Sequence, residues 1–112
     1  MTPPKPVVWV GSAKGDLMAL PPAVRRRFGY ALFVLQQGGS YPFSKQLRGL
    51  HGVLEVWTDL GGNTYRLVAT TSVADTVHVL HVFQKRSHRG ISTPAKDIAV
   101  IRSRLRRIGG RP

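Results

Sequence analysis

The chain has 112 residues with 42% hydrophobic content, which suits one domain with its own core and excludes global disorder. Seventeen Lys and Arg stand against five Asp and Glu, a formal net charge of +12 with a pI near 11.6, so the expected partner is anionic: nucleic acid before a membrane surface or an acidic protein. No cysteine is present, which excludes disulfides, thiolate zinc sites and cysteine nucleophiles, and no apolar run approaches the ~18 residues of a membrane span.

Residues 7–10, Val-Val-Trp-Val, follow a proline-rich start and predict a first strand. Ser12 is placed to cap a short helix reaching about Leu20. Pro21 and Pro22 interrupt it, and either can open a second helix, because a proline at the first helical position gives up no hydrogen bond. There Val24, Phe28, Ala31, Leu32 and Leu35 recur at helical spacing as a core-facing stripe, and Gly38-Gly39 end the helix. Arg25, Arg26 and Arg27 read as a solvated face. After a loop holding Tyr41-Pro42-Phe43, strands are predicted over 53–58, 64–70 and 76–84, separated by Asp59-Leu60-Gly61-Gly62-Asn63 and Ser72-Val73-Ala74-Asp75. Links this short favour an antiparallel meander over crossover units. Thr93 then caps and Pro94 opens a helix to about Ile108, with Ile98, Ile101, Leu105 and Ile108 on one side.

The predicted fold is α+β, in the order β-α-α-β-β-β-α: a twisted, mainly antiparallel sheet, two N-terminal helices on one face, and a C-terminal helix at its edge. One domain spans 1–112, with an ordered core over about 6–108.

Strict alternation along the last strand puts Val77, Val79, His81, Phe83 and Lys85 on one face and His78, Leu80, Val82 and Gln84 on the other. A strand buried on both sides has no use for His81 and Lys85, so one face is expected to line an open, basic site. The strand runs on into Arg86, His88 and Arg89. Arg66 sits mid-strand, where an arginine needs an anion or a carboxylate. Lys45 and Arg48 lie on the glycine-rich loop Lys45-Gln46-Leu47-Arg48-Gly49-Leu50-His51-Gly52. Together Lys45, Arg48, Arg66, Lys85 and Arg86 can cradle a phosphodiester by charge-assisted hydrogen bonds. Four histidines without a His-x-x-x-His pair give no reason to expect a metal, and no cofactor is expected. For proton transfer near neutrality histidine is suited and arginine is not, which makes His81 and His88 the candidates.

These residues resemble the RelE/ParE toxin superfamily, and within it the phage-type HigB-like branch. The matching segments are Lys45-Gln46-Leu47-Arg48-Gly49-Leu50, Val53-Leu54-Glu55-Val56, Tyr65-Arg66-Leu67-Val68, Val79-Leu80-His81-Val82-Phe83-Gln84-Lys85-Arg86 and Thr93-Pro94-Ala95-Lys96-Asp97-Ile98. Their order and spacing, across residues 6–108, carry the likeness. The resemblance implies a cytoplasmic toxin of a type II toxin–antitoxin system, held inactive by a cognate antitoxin. It further implies a metal-independent endoribonuclease that cuts mRNA on the ribosome, the substrate's 2′-hydroxyl attacking the adjacent phosphate. On this likeness Arg66 stabilises the phosphate, Lys85 and Arg86 assist it, and His81 matches a recurrent histidine of the branch. Lys45, Arg48, His88, Arg89, Arg102 and Arg106 are then the RNA-binding set. Other branches end in a short tail bearing a catalytic His or Tyr, whereas this chain continues into a helix.

Other readings fit the same residues. His81 can be a half-buried strand histidine bonded to a backbone carbonyl. Glu55 can pair with Arg66 or a neighbouring cation. Arg102, Arg104, Arg106 and Arg107 can be the wet face of the last helix or a contact for RNA or antitoxin. At the level of function, the alternatives are a ParE-like inhibitor of DNA gyrase and a non-catalytic basic module that binds nucleic acid.

Overall fold

A computed structural model of the chain describes residues 3–85 and 93–111. In order it holds β1 (Val7–Trp9), α1 (Ala13–Met18), α2 (Pro22–Gln36), β2 (Ser44–Gln46), β3 (Val53–Leu60), β4 (Asn63–Val73), β5 (Thr76–Lys85) and α3 (Ala95–Arg107). The strands form one sheet in the order β1-β5-β4-β3-β2, in which β1 joins β5 in parallel and every other pair is antiparallel.

The fold is α+β, with one strand more than the sequence predicts. The added element is β2, whose Ser44, Lys45 and Gln46 lie opposite Val56, Glu55 and Leu54. Three polar residues carry no alternation to read; only pairing with β3 makes them a strand. Lys45 therefore stands on a strand and not on a loop.

The sheet is covered on both faces. On one side Ala13, Leu17, Val24, Phe28 and Leu32 of α1 and α2 pack on Val56, Leu67, Ala69 and Val79. On the other, Ile101 and Leu105 of α3 pack on Val53, Val68, Leu80 and Leu50. The expectation of a C-terminal helix at the sheet's edge is corrected: the Ile98/Ile101/Leu105 stripe needs apolar surface, and the second sheet face supplies it.

The β3–β4 hairpin turns at Gly61 and Gly62, both left-handed (φ 58° and 82°), as a two-residue loop of matching twist requires. The β4–β5 hairpin puts Ala74 and Asp75 in the same region (φ 53° and 51°) although both carry a Cβ. Asp75 is tethered by Lys5 Nζ at 2.7 Å, and Thr76 Oγ1 donates to the Ala74 carbonyl at 2.8 Å. Ala74→Asn, which tolerates this conformation better, is expected to raise stability by about 0.5–1 kcal/mol. A higher urea midpoint at unchanged m would show it, and an unchanged or lower midpoint would contradict it.

Three smaller expectations change. Ser12 does stand at the N-cap of α1, but its Oγ donates to the Asp16 carboxylate at 2.7 Å and makes no backbone cap bond. Pro94, not Thr93, is the N-cap of α3, because the Thr93 hydroxyl is drawn to Glu55. Arg27 is not merely solvated: it ties α2 to β3 by donating to Thr58 Oγ1 at 3.0 Å and the Asp59 carbonyl at 2.7 Å.

Candidate functional site

The geometry of the site begins with a slip in register. Val68 faces His81, but Ala69 faces Val79, so Leu80 is an extra residue on β5. Such a bulge re-aims the side chains beyond it. Strict alternation therefore fails: Val77, Val79 and Val82 join the α1–α2 core, while Leu80 and Phe83 pack on the α3 side. His81, stacked on Phe83 with ring centroids 4.8 Å apart, lies on that side too.

On this α3 side, cations gather around one carboxylate. Glu55 on β3 is only 1% exposed. Its Oε1 lies 3.7 Å from Arg66 Nε on β4 and 3.9 Å from Lys45 Nζ on β2, and its Oε2 accepts from Thr93 Oγ1 at 2.5 Å. The pairing of Glu55 with Arg66 and a neighbouring lysine is as the residues suggested. Both ion-pair distances are too long for hydrogen bonds. Among the described residues, Arg66 Nε and Glu55 Oε1 have no hydrogen-bond partner. Arg66 also lies over Trp57, its Cζ 6.0 Å from the ring centroid.

Lys85, at the end of β5, completes the cluster. Burial, then the positive charges of Arg66 and Lys45, push its pKa below the usual lysine value, while Glu55 acts the other way. Among the described residues, three cations thus lie near one acid. The cluster is not an open face, however: Lys85 is 4% exposed and His81, held by Asp97 of α3, is 9% exposed.

Beside the cluster, Lys45, Leu47, Arg48, Thr93, Ile98 and Arg102 line a cleft of about 470 Å³. The expected RNA-binding residues Lys45, Arg48 and Arg102 are therefore brought together, and Thr93 links their cleft to Glu55. Arg106 is exposed one turn farther along α3. Arg104 is committed to the fold: it donates to the Leu80 carbonyl at 2.8 Å and to Ser12 Oγ at 3.0 Å. Gly11, at φ 59°, makes room for it, since a Cβ there would stand 2.7 Å from Arg104 Nε. Arg86, His88 and Arg89 lie outside the described residues.

His81 is tied to α3, its Nε2 standing 2.8 Å from Asp97 Oδ1, and both side chains are largely buried. The alternative reading of His81 as a half-buried strand histidine gave it a backbone carbonyl; its partner is a carboxylate. Sequence reasoning passed over Asp97, Thr93 and Trp57 as partners. Asp97 is the acid in the first turn of α3, but its meeting with His81 depends on which face of the sheet that helix covers. Among the described residues, no group of His, Cys, Asp and Glu could hold a metal ion, and no helix is long and apolar enough to cross a membrane.

A sheet of this order with helices on both faces, carrying Lys45, Arg66 and Lys85 near the buried Glu55, defines a small basic α+β protein. The profile of the Gp49-like family of phage-derived proteins matches residues 15–106, and the chain belongs to that family. Its fold is similar to that of a chain in the crystal structure of the toxin–antitoxin complex RelBE2 from Mycobacterium tuberculosis, with 26% identity and a TM-score of 0.51. The match covers 78% of this chain and 98% of that one, and supports a RelE-like fold. No curated protein matches the sequence.

Proposed function

We propose that this chain is the toxin of a type II toxin–antitoxin system, on the HigB-like branch, and that it cuts mRNA on the ribosome. The observation that carries the reading is the cluster of Arg66, Lys85 and Lys45 around Glu55, with Arg66 Nε ion-paired to Glu55 but without a hydrogen-bond partner among the described residues, beside the Lys45–Arg48–Arg102 cleft. Family membership and the likeness to a chain of a toxin–antitoxin complex support it.

In this reading the 2′-hydroxyl of the substrate gives its proton to solvent water and attacks the adjacent phosphorus, the bond from phosphorus to the 5′-oxygen breaks, and a 2′,3′-cyclic phosphate remains. Arg66 and Lys85 stabilise the charge that builds on the phosphorane oxygens. Lys85, with its lowered pKa, is the better placed of the two to give a proton to the departing 5′-oxygen. Arg86 assists them, and Lys45, Arg48, Arg102, Arg106, His88 and Arg89 hold the RNA strand. His81, held by Asp97 at 2.8 Å, serves to position α3 on this face of the sheet. The chain works in the cytoplasm, where ribosomes are, and a cognate antitoxin presents carboxylates to the same cations.

Expressing the chain alone in bacteria is expected to arrest growth and leave new mRNA ends at defined positions within translated frames, with purified gyrase unaffected. Inhibition of supercoiling without mRNA cleavage would move the reading to a ParE-like gyrase inhibitor. RNA binding without either activity would leave a non-catalytic nucleic-acid-binding module.

A further inference from the structure

Aromatic rings form a continuous chain that meets the cationic site only at Trp57. Tyr30 and Phe33, one turn apart on α2, stack at 6.5 Å between centroids; Tyr30 meets Tyr41 at 6.3 Å, Tyr41 meets Phe43 at 5.9 Å, and Phe43 meets Trp57 at 6.4 Å. The chain ends at the guanidinium of Arg66 over Trp57. Tyr30, Phe33 and Phe43 are 62%, 55% and 55% exposed, so packing of the core does not account for them. A contiguous exposed aromatic patch of this kind marks a binding surface.

Within it lies a second cleft, of about 400 Å³, walled by Tyr41, Phe43 and Trp57 and closed by Arg27, Thr58 and Asp59. It lies beside β3 just past the pairing of β2 with Leu54, Glu55 and Val56, where the Phe43 carbonyl accepts from Trp57 N–H at 3.0 Å. Arg27 is spent there on Thr58 Oγ1 and the Asp59 carbonyl. The Asp59 carboxylate is exposed and makes no ion pair or hydrogen bond among the described residues.

We propose that this cleft takes one unstacked base of the RNA strand whose phosphate lies at Arg66 and Lys85, and that Phe43 and Tyr30 carry the neighbouring bases. The proposal rests on the RNA-cleaving reading given above. Aromatic rings accept the face of any base, and cations interleaved with them track the backbone. Trp57 belongs to both features, which makes the ring chain continuous with the phosphate cluster. The net charge of +12 favours a polyanion over an apolar protein segment as the occupant. The Asp59 carboxylate is an acceptor for an exocyclic amino group. It favours cytosine or adenine over uracil, whose edge presents mostly carbonyl oxygens.

The test measures binding of the full chain to short, fluorescently labelled, 2′-O-methylated oligomers of C, A or U and to an abasic oligomer. Phe43→Ala is expected to weaken binding of the C and A oligomers about tenfold, as loss of one base–aromatic contact does, and to leave the abasic oligomer unaffected. Asp59→Asn should narrow the gap between C or A and U. Both side chains are exposed, so both variants should melt with the parent protein, and Tyr30→Ala supplies a second exposed ring. If Arg66→Ala weakens binding while Phe43→Ala and Tyr30→Ala do not, the base cleft is refuted and the RNA reading stands. If the parent chain shows no salt-sensitive affinity for any oligomer, both are refuted. If Phe43→Ala keeps its RNA affinity but loses the antitoxin, the ring chain is a protein interface and the proposal is overturned.

Discussion

Replacing Arg66 with alanine is expected to lower the rate of mRNA cleavage by about 10²–10³-fold while the protein stays folded. Arg66 is mid-strand on β4, opposite Trp57 on one side and Phe83 on the other, and although its side chain is only 13% exposed it belongs to neither apolar cluster. Its Nε approaches Glu55 without a hydrogen bond, so what the substitution removes is donor capacity aimed into the cluster. Binding to the ribosome depends on many more cations than this one, so turnover should fall further than affinity. Arg66→Lys should recover only part of the rate, because a lysine keeps the charge and loses the planar fork. Full toxicity of a folded Arg66→Ala protein would remove this site from the mechanism.

The second large effect concerns stability. Glu55→Gln is expected to cost on the order of 2–3 kcal/mol, because it takes away the carboxylate about which Lys45, Arg66 and Lys85 converge and leaves them to repel one another. The figure sits below that for a fully buried pair, since the Lys45 side chain is 42% exposed and solvent screens it. Removing the surface pair of Lys5 and Asp75, where Asp75 is 82% exposed, should change stability far less. Urea denaturation of both variants checks the contrast. Added salt should restore part of the loss for Glu55→Gln, as screening weakens repulsion between the remaining cations. If Glu55→Gln unfolds at the parent's urea concentration, Glu55 does not organise the cluster.

Much of the architecture could be read from the residues because local rules and tertiary packing agree there. The Val24/Phe28/Leu32 stripe needed a sheet to cover, Gly61-Gly62 needed a tight hairpin, and both appear as expected. The failures have particular causes. Ser44–Gln46 is a strand only because β3 offers it a partner. The bulge at Leu80 has no signature in Val-Leu-His-Val, yet it exchanges the faces on which half of β5 lies. His81, Phe83 and Lys85 were correctly grouped, but Val77 and Val79 were wrongly placed with them. The candidate site was legible as a set of cations and illegible as a geometry. Which acid Arg66 approaches, and that His81 is held by Asp97 from α3, depend on register and on the helix's choice of sheet face, which no local pattern encodes.

The measurement that bears most directly on the central claim is the chemistry of the RNA ends. Purified ribosomes programmed with a defined mRNA are mixed with the chain, and the new termini are identified. Attack by the 2′-hydroxyl predicts a 2′,3′-cyclic phosphate on one fragment and a 5′-hydroxyl on the other, and a single 2′-deoxy substitution at the cut should abolish cleavage there. Fragments ending in 3′-hydroxyl and 5′-phosphate, or cleavage that survives the 2′-deoxy substitution, would contradict the account.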